Sequence, residues 1–207
     1  MSRTISSDDI TDLEDSGVDS AQIAATLLDW VAEDDVRYGV DVSPAELLSL
    51  AATHAGIAGD AEQHWELLER ARAADGETAI DVEAKMIAAL LYRGDKEAAM
   101  ALADELRRAG VRSILSYSIV SDALSEHGED RAALRWLNMG LRGFERIYGD
   151  DPDEDELELL DDLLLARIVL RRRMGLAPDS YDEEALAMNE EELIAELVAE
   201  PDSADNE

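Results

Sequence analysis

The chain has 207 residues, with 18 basic and 50 acidic side chains and a net charge of −32. Repulsion of this size opposes binding to nucleic-acid backbones and to anionic membranes, so neither is an expected partner. The absence of cysteine excludes disulfides, thiolate zinc sites and a cysteine nucleophile. An apolar content of 46 % with only 4 % aromatics favours helices packed through small residues, and therefore an all-α protein.

Residues 1–42 are predicted to form an acidic N-terminal tail and a capping helix. Residues 4–36 hold ten acidic side chains and no basic one. A short helix is expected before Gly17, and Ser20 is predicted to cap a second helix. The first residues lack the apolar core of a signal peptide, and no apolar run approaches the ~20 residues that span a bilayer, so we expect a cytoplasmic protein.

Residues 43–149 carry one pattern three times. A helix-like segment ends in glycine and an acidic residue, at Gly59, Gly94 and Gly128, and an alanine-rich helix follows each time. The spacings of 35 and 34 residues are typical of a helix-turn-helix repeat, which buries its apolar face only by stacking on its neighbours. We therefore predict three helix hairpins in this segment.

This pattern resembles the tetratricopeptide repeat, whose first helix carries bulky and small residues at fixed offsets before a Gly-Asp turn. Glu83 departs from the pattern in the second unit, and His64 replaces a small residue in the first. The resemblance covers about half of the chain and implies an α-solenoid of about three repeats with flanking helices. The third unit carries it best, through Tyr117, Val120, Ser121, Leu124, Gly128, Ala133, Leu137 and Gly140.

The resemblance also implies a partner-binding groove, because fixed positions of each first helix line the concave face in this family. Family members that clamp a peptide carboxylate use Lys and Asn there, so Ser49, Thr53, Ala84 and Ala88 argue against a chaperone-tail clamp. A partly apolar groove with acidic edges suits a peptide or helix with basic and apolar residues. The implied lining is Glu46, Ser49, Thr53, Ala84, Ala88, Leu91, Tyr92, Ser118, Asp122, Ser125 and Glu126.

Residues 150–199 are predicted to form a long helix followed by short capping helices at 181–187 and 190–199. Acidic residues begin the long helix and Arg171–Arg173 end it, which complements the helix dipole at both ends. Residues 174–207 hold twelve acidic side chains and no basic one, so 200–207 is predicted to be a disordered acidic tail.

The stretch Arg171–Asp179, placed after such hairpins, is also similar to uncharacterised actinobacterial proteins. Those proteins often end in a cysteine-containing zinc motif of the SecA C-terminal type. That motif is absent from a chain without cysteine, and the resemblance implies no activity.

One acidic stretch has part of the spacing of a calcium loop. Asp151, Asp153, Asp155 and Asp162 stand at four ligand positions, but Glu156 occupies the position at which the sharp turn requires glycine. We therefore interpret this stretch as an acid-rich helix start.

Other candidate chemistry is sparse. His54, His64 and His127 share no metal-ligand spacing on one helix and are interpreted as packed or surface residues. Arg167 and Arg171–Arg173 form the densest basic cluster, which is expected to pair with the chain's own acidic residues or, as the minority interpretation, to bind an anion. The sequence contains no phosphate-binding loop, nucleophile elbow or metalloprotease motif. No catalytic residue, metal or cofactor is predicted.

We therefore expect a non-enzymatic module or scaffold that binds a peptide or helix of a protein partner. The first alternative is an acidic decoy that occupies a basic, nucleic-acid-binding protein through its charged ends. The second alternative is a hydrolase or metal enzyme that lacks recognisable motifs.

Overall fold

The computed structural model describes residues 3–33, 35–149 and 151–183. Of these residues 72 % are helical and 3 % lie in strands, so the predominantly helical class is confirmed. The chain divides into two compact units, Met1–Gly110 and Val111–Glu207. The boundary between them falls inside the 43–149 segment that was predicted to carry the three hairpins. None of the helices in the described ranges combines the length and apolar character needed to cross a membrane.

The first unit opens with a two-stranded parallel sheet that the sequence patterns did not predict. Strand β1 spans Arg3–Ile5 and strand β2 spans Val36–Tyr38, with Arg3 opposite Val36 and Ile5 opposite Tyr38. Three-residue strands are too short for an alternating pattern to be visible. Ile5 is fully buried, so the N-terminal segment is part of the fold of this unit.

Helices α1 (Ser7–Glu14) and α2 (Ser20–Ala32) connect the two strands. Ser6 caps α1 in a reciprocal capping box with Asp9. The cap of α2 is Asp19, one residue before the predicted Ser20, because the Asp19 carboxylate accepts the Gln22 backbone N–H at 2.9 Å. Aspartate and serine cap equally well, so residue type alone does not separate the two positions.

Four more helices complete the first unit. Ser43 caps the first of them by accepting the Glu46 N–H at 3.0 Å, and Pro44 takes the first helical position, where its missing N–H costs nothing. Fully buried leucine and isoleucine side chains, among them Leu47, Leu68 and Ile87, form the core. The helices are α3 (Pro44–Ile57), α4 (Ala61–Ala73), α5 (Val82–Tyr92) and α6 (Lys96–Ala109).

The second unit contains α7 (Ile114–Glu126), α8 (Asp130–Tyr148) and α9 (Glu154–Arg173). Gly140 of α8 permits a close approach of neighbouring helices, since a Cβ there would lie 3.1 Å from the Tyr117 Cβ and 3.1 Å from the Leu163 Cδ1. Trp136 packs beside Tyr117, with ring centroids 5.8 Å apart.

The long C-terminal helix is present as predicted, with its cap at Asp153 and a capping box to Glu156. Pro152 immediately precedes this cap residue and lies outside the helix. A further helical segment begins at Ser180 and continues to the last described residue, Glu183. The rest of the predicted 181–187 helix, the 190–199 helix and the 200–207 tail lie outside the described residues.

Candidate partner-binding surfaces

The three predicted glycine turns have the same backbone geometry, which the turn at Gly175 after α9 also has. Gly59, Gly94 and Gly128 have φ values of +85°, +80° and +75°, which glycine adopts without steric cost. Each glycine N–H donates to the carbonyl three residues earlier, at 3.0, 2.9 and 3.0 Å. Each following acidic residue donates its N–H to the carbonyl five residues earlier, at 2.9, 2.9 and 2.8 Å. This is the Schellman arrangement that ends a helix.

The acidic residue after the glycine is the N-cap of the next helix in all three turns, and in two of them its side chain makes a capping hydrogen bond. The Asp60 carboxylate accepts the Gln63 N–H at 2.9 Å, and the Asp95 carboxylate accepts the Ala98 N–H at 3.1 Å. Glu129 makes no such side-chain cap. A glycine-aspartate pair thus both ends one helix and starts its successor.

The loop between α4 and α5 fastens onto the N-terminal end of α3. The Ser43 hydroxyl donates to the Glu77 carbonyl at 2.7 Å, and the Ala79 N–H donates to the Glu46 carboxylate at 2.9 Å. Glu46, predicted as a groove residue, is therefore engaged by its own chain. These contacts place the start of α5 beside the start of α3.

Lys85 of α5 reaches the middle of α3. Its ammonium donates to the Ser49 hydroxyl at 2.9 Å, to the Ser49 carbonyl at 3.3 Å and to the Thr53 hydroxyl at 3.0 Å. Three acceptors match the three N–H donors of an ammonium group. Burial lowers the pKa of Lys85, and the charge of Glu46 acts in the opposite direction.

Four hydrogen bonds join the α3 segment to α5 and to the loop that precedes α5. Their partners are 32 to 36 positions apart, and later residues of α3 pair with later residues of the α5 segment. Helix α5 therefore runs alongside α3 in the same direction. Lys85 was not predicted to have a role. Its signal was its rarity, since it is one of only two lysines among 18 basic residues.

Three of the seven predicted groove residues of the first unit are buried within it. Ser49, Ala84 and Leu91 have exposed fractions of 1 %, 0 % and 2 %, because they pack inside the unit. Thr53 and Ala88 are half-buried. Among the seven predicted residues of this unit, only Tyr92 is exposed, at 66 %.

The four predicted residues of the second unit lie on α7, and two are exposed. Asp122 and Glu126 face solvent, whereas Ser118 and Ser125 are half-buried. Partial desolvation, together with the charge of Glu126, raises the pKa of the Asp122 carboxyl, and a hydrogen bond with Ser121 opposes the rise. The Ser125 hydroxyl accepts a hydrogen bond from Arg173 of α9, so its own chain already engages it.

A different surface carries the exposed apolar side chains of α3 and α5. Ile57 and Tyr92 have exposed fractions of 68 % and 66 %, and each stands two residues before a turn glycine. We call these two residues and the turns that follow them the turn surface. The Arg93 guanidinium lies 5.0 Å from the ring centroid of half-buried Trp65 near these turns. Ile57 was not among the residues predicted to line a binding surface.

The arginine cluster of α9 pairs with the chain's own acidic residues, as predicted for Arg167, Arg171 and Arg173. Arg167, with 3 % of its surface exposed, contacts Asp179 and Asp182 and donates to the Asn138 side-chain oxygen at 2.7 Å. The Arg171 guanidinium lies 2.8 Å from the Asp182 carboxylate. Arg173 pairs with Asp130 at 2.6 Å.

This cluster holds the segment after α9 in place. The hydrogen bond from Arg167 is the main cause that lowers the pKa of Asp179 to about 2. Burial opposes this shift, and the backbone N–H of Asp182 and the charges of both arginines reinforce it.

Two histidines make separate contacts within the first unit. The His54 Nε2 lies 3.1 Å from the Glu14 carboxylate, which joins α1 to α3, and the His64 Nδ1 lies 2.6 Å from the Ala52 carbonyl. Within the described ranges, no group of three or more histidine or acidic side chains is arranged to hold a metal ion.

No protein-family model matches the sequence, and comparison with curated proteins finds no match. The described surfaces offer noncovalent chemistry: exposed apolar side chains at the turns and carboxylates around them. Such surfaces suit the binding of a polypeptide.

Proposed function

We propose that this protein is a non-enzymatic interaction module that binds a basic, partly apolar segment of a protein partner. The observation that carries the proposal is the recurrence of one turn geometry at spacings of 35 and 34 residues, together with the parallel course of α3 and α5. Helix pairs of this spacing present extended surfaces in repeat proteins, and such surfaces bind polypeptides.

The proposal includes the resemblance to the tetratricopeptide repeat. Three glycine turns spaced by 35 and 34 residues and a 32–36 residue offset between α3 and α5 are what an α-solenoid of this type would have. The intrachain contacts of Glu46 and Ser49 favour a binding surface outside the groove that the resemblance implies.

The charge of the chain specifies the partner's chemistry. A net charge of −32 attracts cationic segments and repels anionic ones, and this attraction accelerates encounter more than it adds affinity. Apolar anchors must supply the specificity, because long-range attraction does not distinguish between cationic partners. The proposed ligand therefore combines arginine or lysine with exposed apolar side chains.

Selection from a random peptide library tests this function on the full-length chain. The selection is made at about 0.15 M salt, where the Debye length is roughly 8 Å, after counter-selection on polyglutamate beads that remove purely cationic binders. We expect enriched peptides in which apolar residues are flanked by basic ones. If only polybasic peptides bind, and counter-selection on polyglutamate removes all of them, the result would contradict the proposal and favour the acidic decoy.

The acidic decoy alternative assigns binding to the charged ends of the chain. It is tested by replacing their carboxylates with neutral side chains and not by deleting residues 1–18. Ile5 is buried and β1 pairs with β2, so a deletion would remove part of the first unit along with the charge. A decoy would lose affinity steeply with salt and with each neutralised carboxylate. An apolar binding surface would keep most of its affinity.

A further inference from the structure

We infer that the partner docks on the turn surface, across the ends of α3 and α5, as a basic amphipathic helix whose apolar side chains pack on Ile57 and Tyr92. This inference rests on the proposed function and gives it a location. It replaces the groove implied by the family resemblance, of which Ser49, Ala84 and Leu91 are interior residues.

Ile57 and Tyr92 each leave about two thirds of their surface open, at 68 % and 66 %, whereas the other large apolar residues of α3 and α5 are buried or half-buried. They occupy the same position, two residues before the glycine, in successive turns. Equivalent placement distinguishes this pair from apolar residues that are scattered singly over a surface.

Ile57 and Tyr92 lie at the same end of two parallel helices. The contacts from the α4–α5 loop to the start of α3, and from Lys85 to the middle of α3, set an offset of 32 to 36 residues between the parallel segments. Ile57 and Tyr92 are separated by 35 residues, which matches this offset. The Lys85 side chain spans the gap between α3 and α5, so the two backbones lie within one extended lysine side chain and a hydrogen bond of each other.

A helix of the partner can reach both anchors of the turn surface at once. On a helix, residues seven positions apart share a face and are separated by about 10.5 Å along the axis. A helix laid across the two turns can therefore place one apolar side chain on Ile57 and another, seven residues later, on Tyr92. An amphipathic helix has such a stripe, with intermediate apolar residues between the two.

Carboxylates border the turn surface. Asp60 and Asp95 follow the two glycines, and the contact of His54 with Glu14 brings the Glu14 carboxylate of α1 to the end of α3. A docked helix buries apolar area at the centre and leaves these carboxylates at the rim. Basic residues flanking the apolar stripe complement them, whereas acidic residues would be repelled.

Two synthetic peptides serve as the probe. The first is an 18-residue arginine-rich helix with leucines at positions i, i+3, i+4 and i+7, and the second has the same arginines with alanine at those positions. Affinities for the full-length chain are measured by isothermal titration at about 0.15 M salt, so that both peptides share the same nonspecific attraction. The ratio of the two affinities isolates the apolar contribution.

The wild-type chain is expected to bind the leucine peptide about tenfold more tightly than the alanine peptide, as two buried anchors would require. The variant Ile57→Ser with Tyr92→Ser should bring the ratio to within about twofold of one and leave the affinity for the alanine peptide unchanged. Leu157→Ser, at an apolar residue of α9 with 45 % exposure, is the matched control and should keep the wild-type ratio. Circular dichroism verifies that each variant folds.

The outcomes separate the two proposals. A wild-type ratio near one would overturn the docked-helix inference together with the apolar part of the proposed function. A high ratio that persists in the Ile57→Ser, Tyr92→Ser variant would overturn the turn surface but leave the interaction function standing. Loss of the ratio in the Leu157→Ser control as well would show unspecific adhesion and would also overturn the turn surface.

Discussion

The Lys85 ammonium and the Ser49 hydroxyl meet at 2.9 Å although they are 36 positions apart in the chain. This hydrogen bond joins α5 to α3 without a carboxylate at the contact, in a protein that carries 50 acidic residues. Hydroxyl and carbonyl oxygens satisfy the hydrogen bonds of the ammonium group, but they do not fully replace its hydration. Burial therefore lowers the pKa of Lys85.

Replacing Lys85 by methionine should destabilise the first unit. The substitution keeps an unbranched apolar stem but leaves the Ser49 and Thr53 hydroxyls without their donor, which costs about 1–3 kcal/mol for partly buried groups. Urea unfolding followed by circular dichroism measures the change. The control Lys96→Met, at the exposed second lysine, should stay within about 0.5 kcal/mol of the wild type. Equal stability of Lys85→Met and the wild type would contradict a stabilising role for this contact.

The three turn glycines should respond alike to substitution. Gly59, Gly94 and Gly128 have positive φ values and nothing within 4 Å of an added Cβ, so alanine meets only backbone strain, of about 1–2 kcal/mol. Asparagine tolerates this conformation better and should cost less than alanine at every position. Thermal unfolding of the six variants compares them. Alanine costs that differ by more than about 1 kcal/mol between positions would show that the turns are not equivalent.

Gly140→Ala should be costly for another reason. Its backbone is helical, but the new Cβ would lie 3.1 Å from the Tyr117 Cβ and from Leu163, so α8 must move away from its neighbours. Overpacking of this kind typically costs about 1–3 kcal/mol. Denaturant unfolding tests this value. Without a clash, alanine inside a helix is about 0.8–1.0 kcal/mol more favourable than glycine. A Gly140→Ala variant more stable than the wild type would therefore contradict the packing argument.

Arg167→Met should destabilise the second unit more than Arg172→Met. Arg167 is buried and contacts Asp179 and Asp182, so its loss leaves the buried Asp182 carboxylate without this partner. Breaking a buried ion pair from one side costs roughly 3–5 kcal/mol, whereas the exposed Arg172 should change stability by less than about 0.5 kcal/mol. Denaturant unfolding compares the two variants. Similar stabilities would show that the cluster contributes little.

The contact between Arg167 and Asp179 should weaken in acid. The pKa of Asp179 is lowered from 3.8 to about 2, so the folded state binds the proton less readily than the unfolded state. The stability that this shift provides is fully present above the unfolded value of 3.8 and is lost as the pH falls through the folded value of about 2.

Thermal unfolding of wild type and Asp179→Asn between about pH 7 and pH 2 measures this dependence. The difference in stability should be constant above about pH 5 and should shrink below pH 4. Glu158→Gln, at an exposed carboxylate of α9, controls for the general effect of removing one charge. A difference that does not change with pH would contradict the lowered pKa.

The helices and turns were predictable because their signals are local. A glycine followed by an acidic residue ends one helix and begins another within six residues, and the long helix α9 carries acidic and basic residues at its proper ends. The pairing of the arginine cluster was also predictable from charge alone. Capping positions were less certain, since Asp19 and Ser20 are equally suitable caps.

Contacts between distant segments were not predictable in the same way. The parallel pairing of Ile5 with Tyr38 and the reach of Lys85 to Ser49 depend on how helices pack, which helical periodicity does not specify. Leu91, which the family resemblance places in the groove, has an exposed fraction of 2 %, and helical periodicity does not specify this burial. Ile57 was not predicted, because an exposed apolar residue has no sequence signature until its exposure is known.

The turn geometry has a consequence for how the chain assembles. Its hydrogen bonds join residues at most five positions apart, so each helix pair can close as soon as its own residues are available. The Lys85 bridge, which joins residues more than 30 positions apart, must wait until α5 follows the first pair. A nascent chain leaving the ribosome can therefore build its helix pairs one after another, so that the order of synthesis becomes the order of folding.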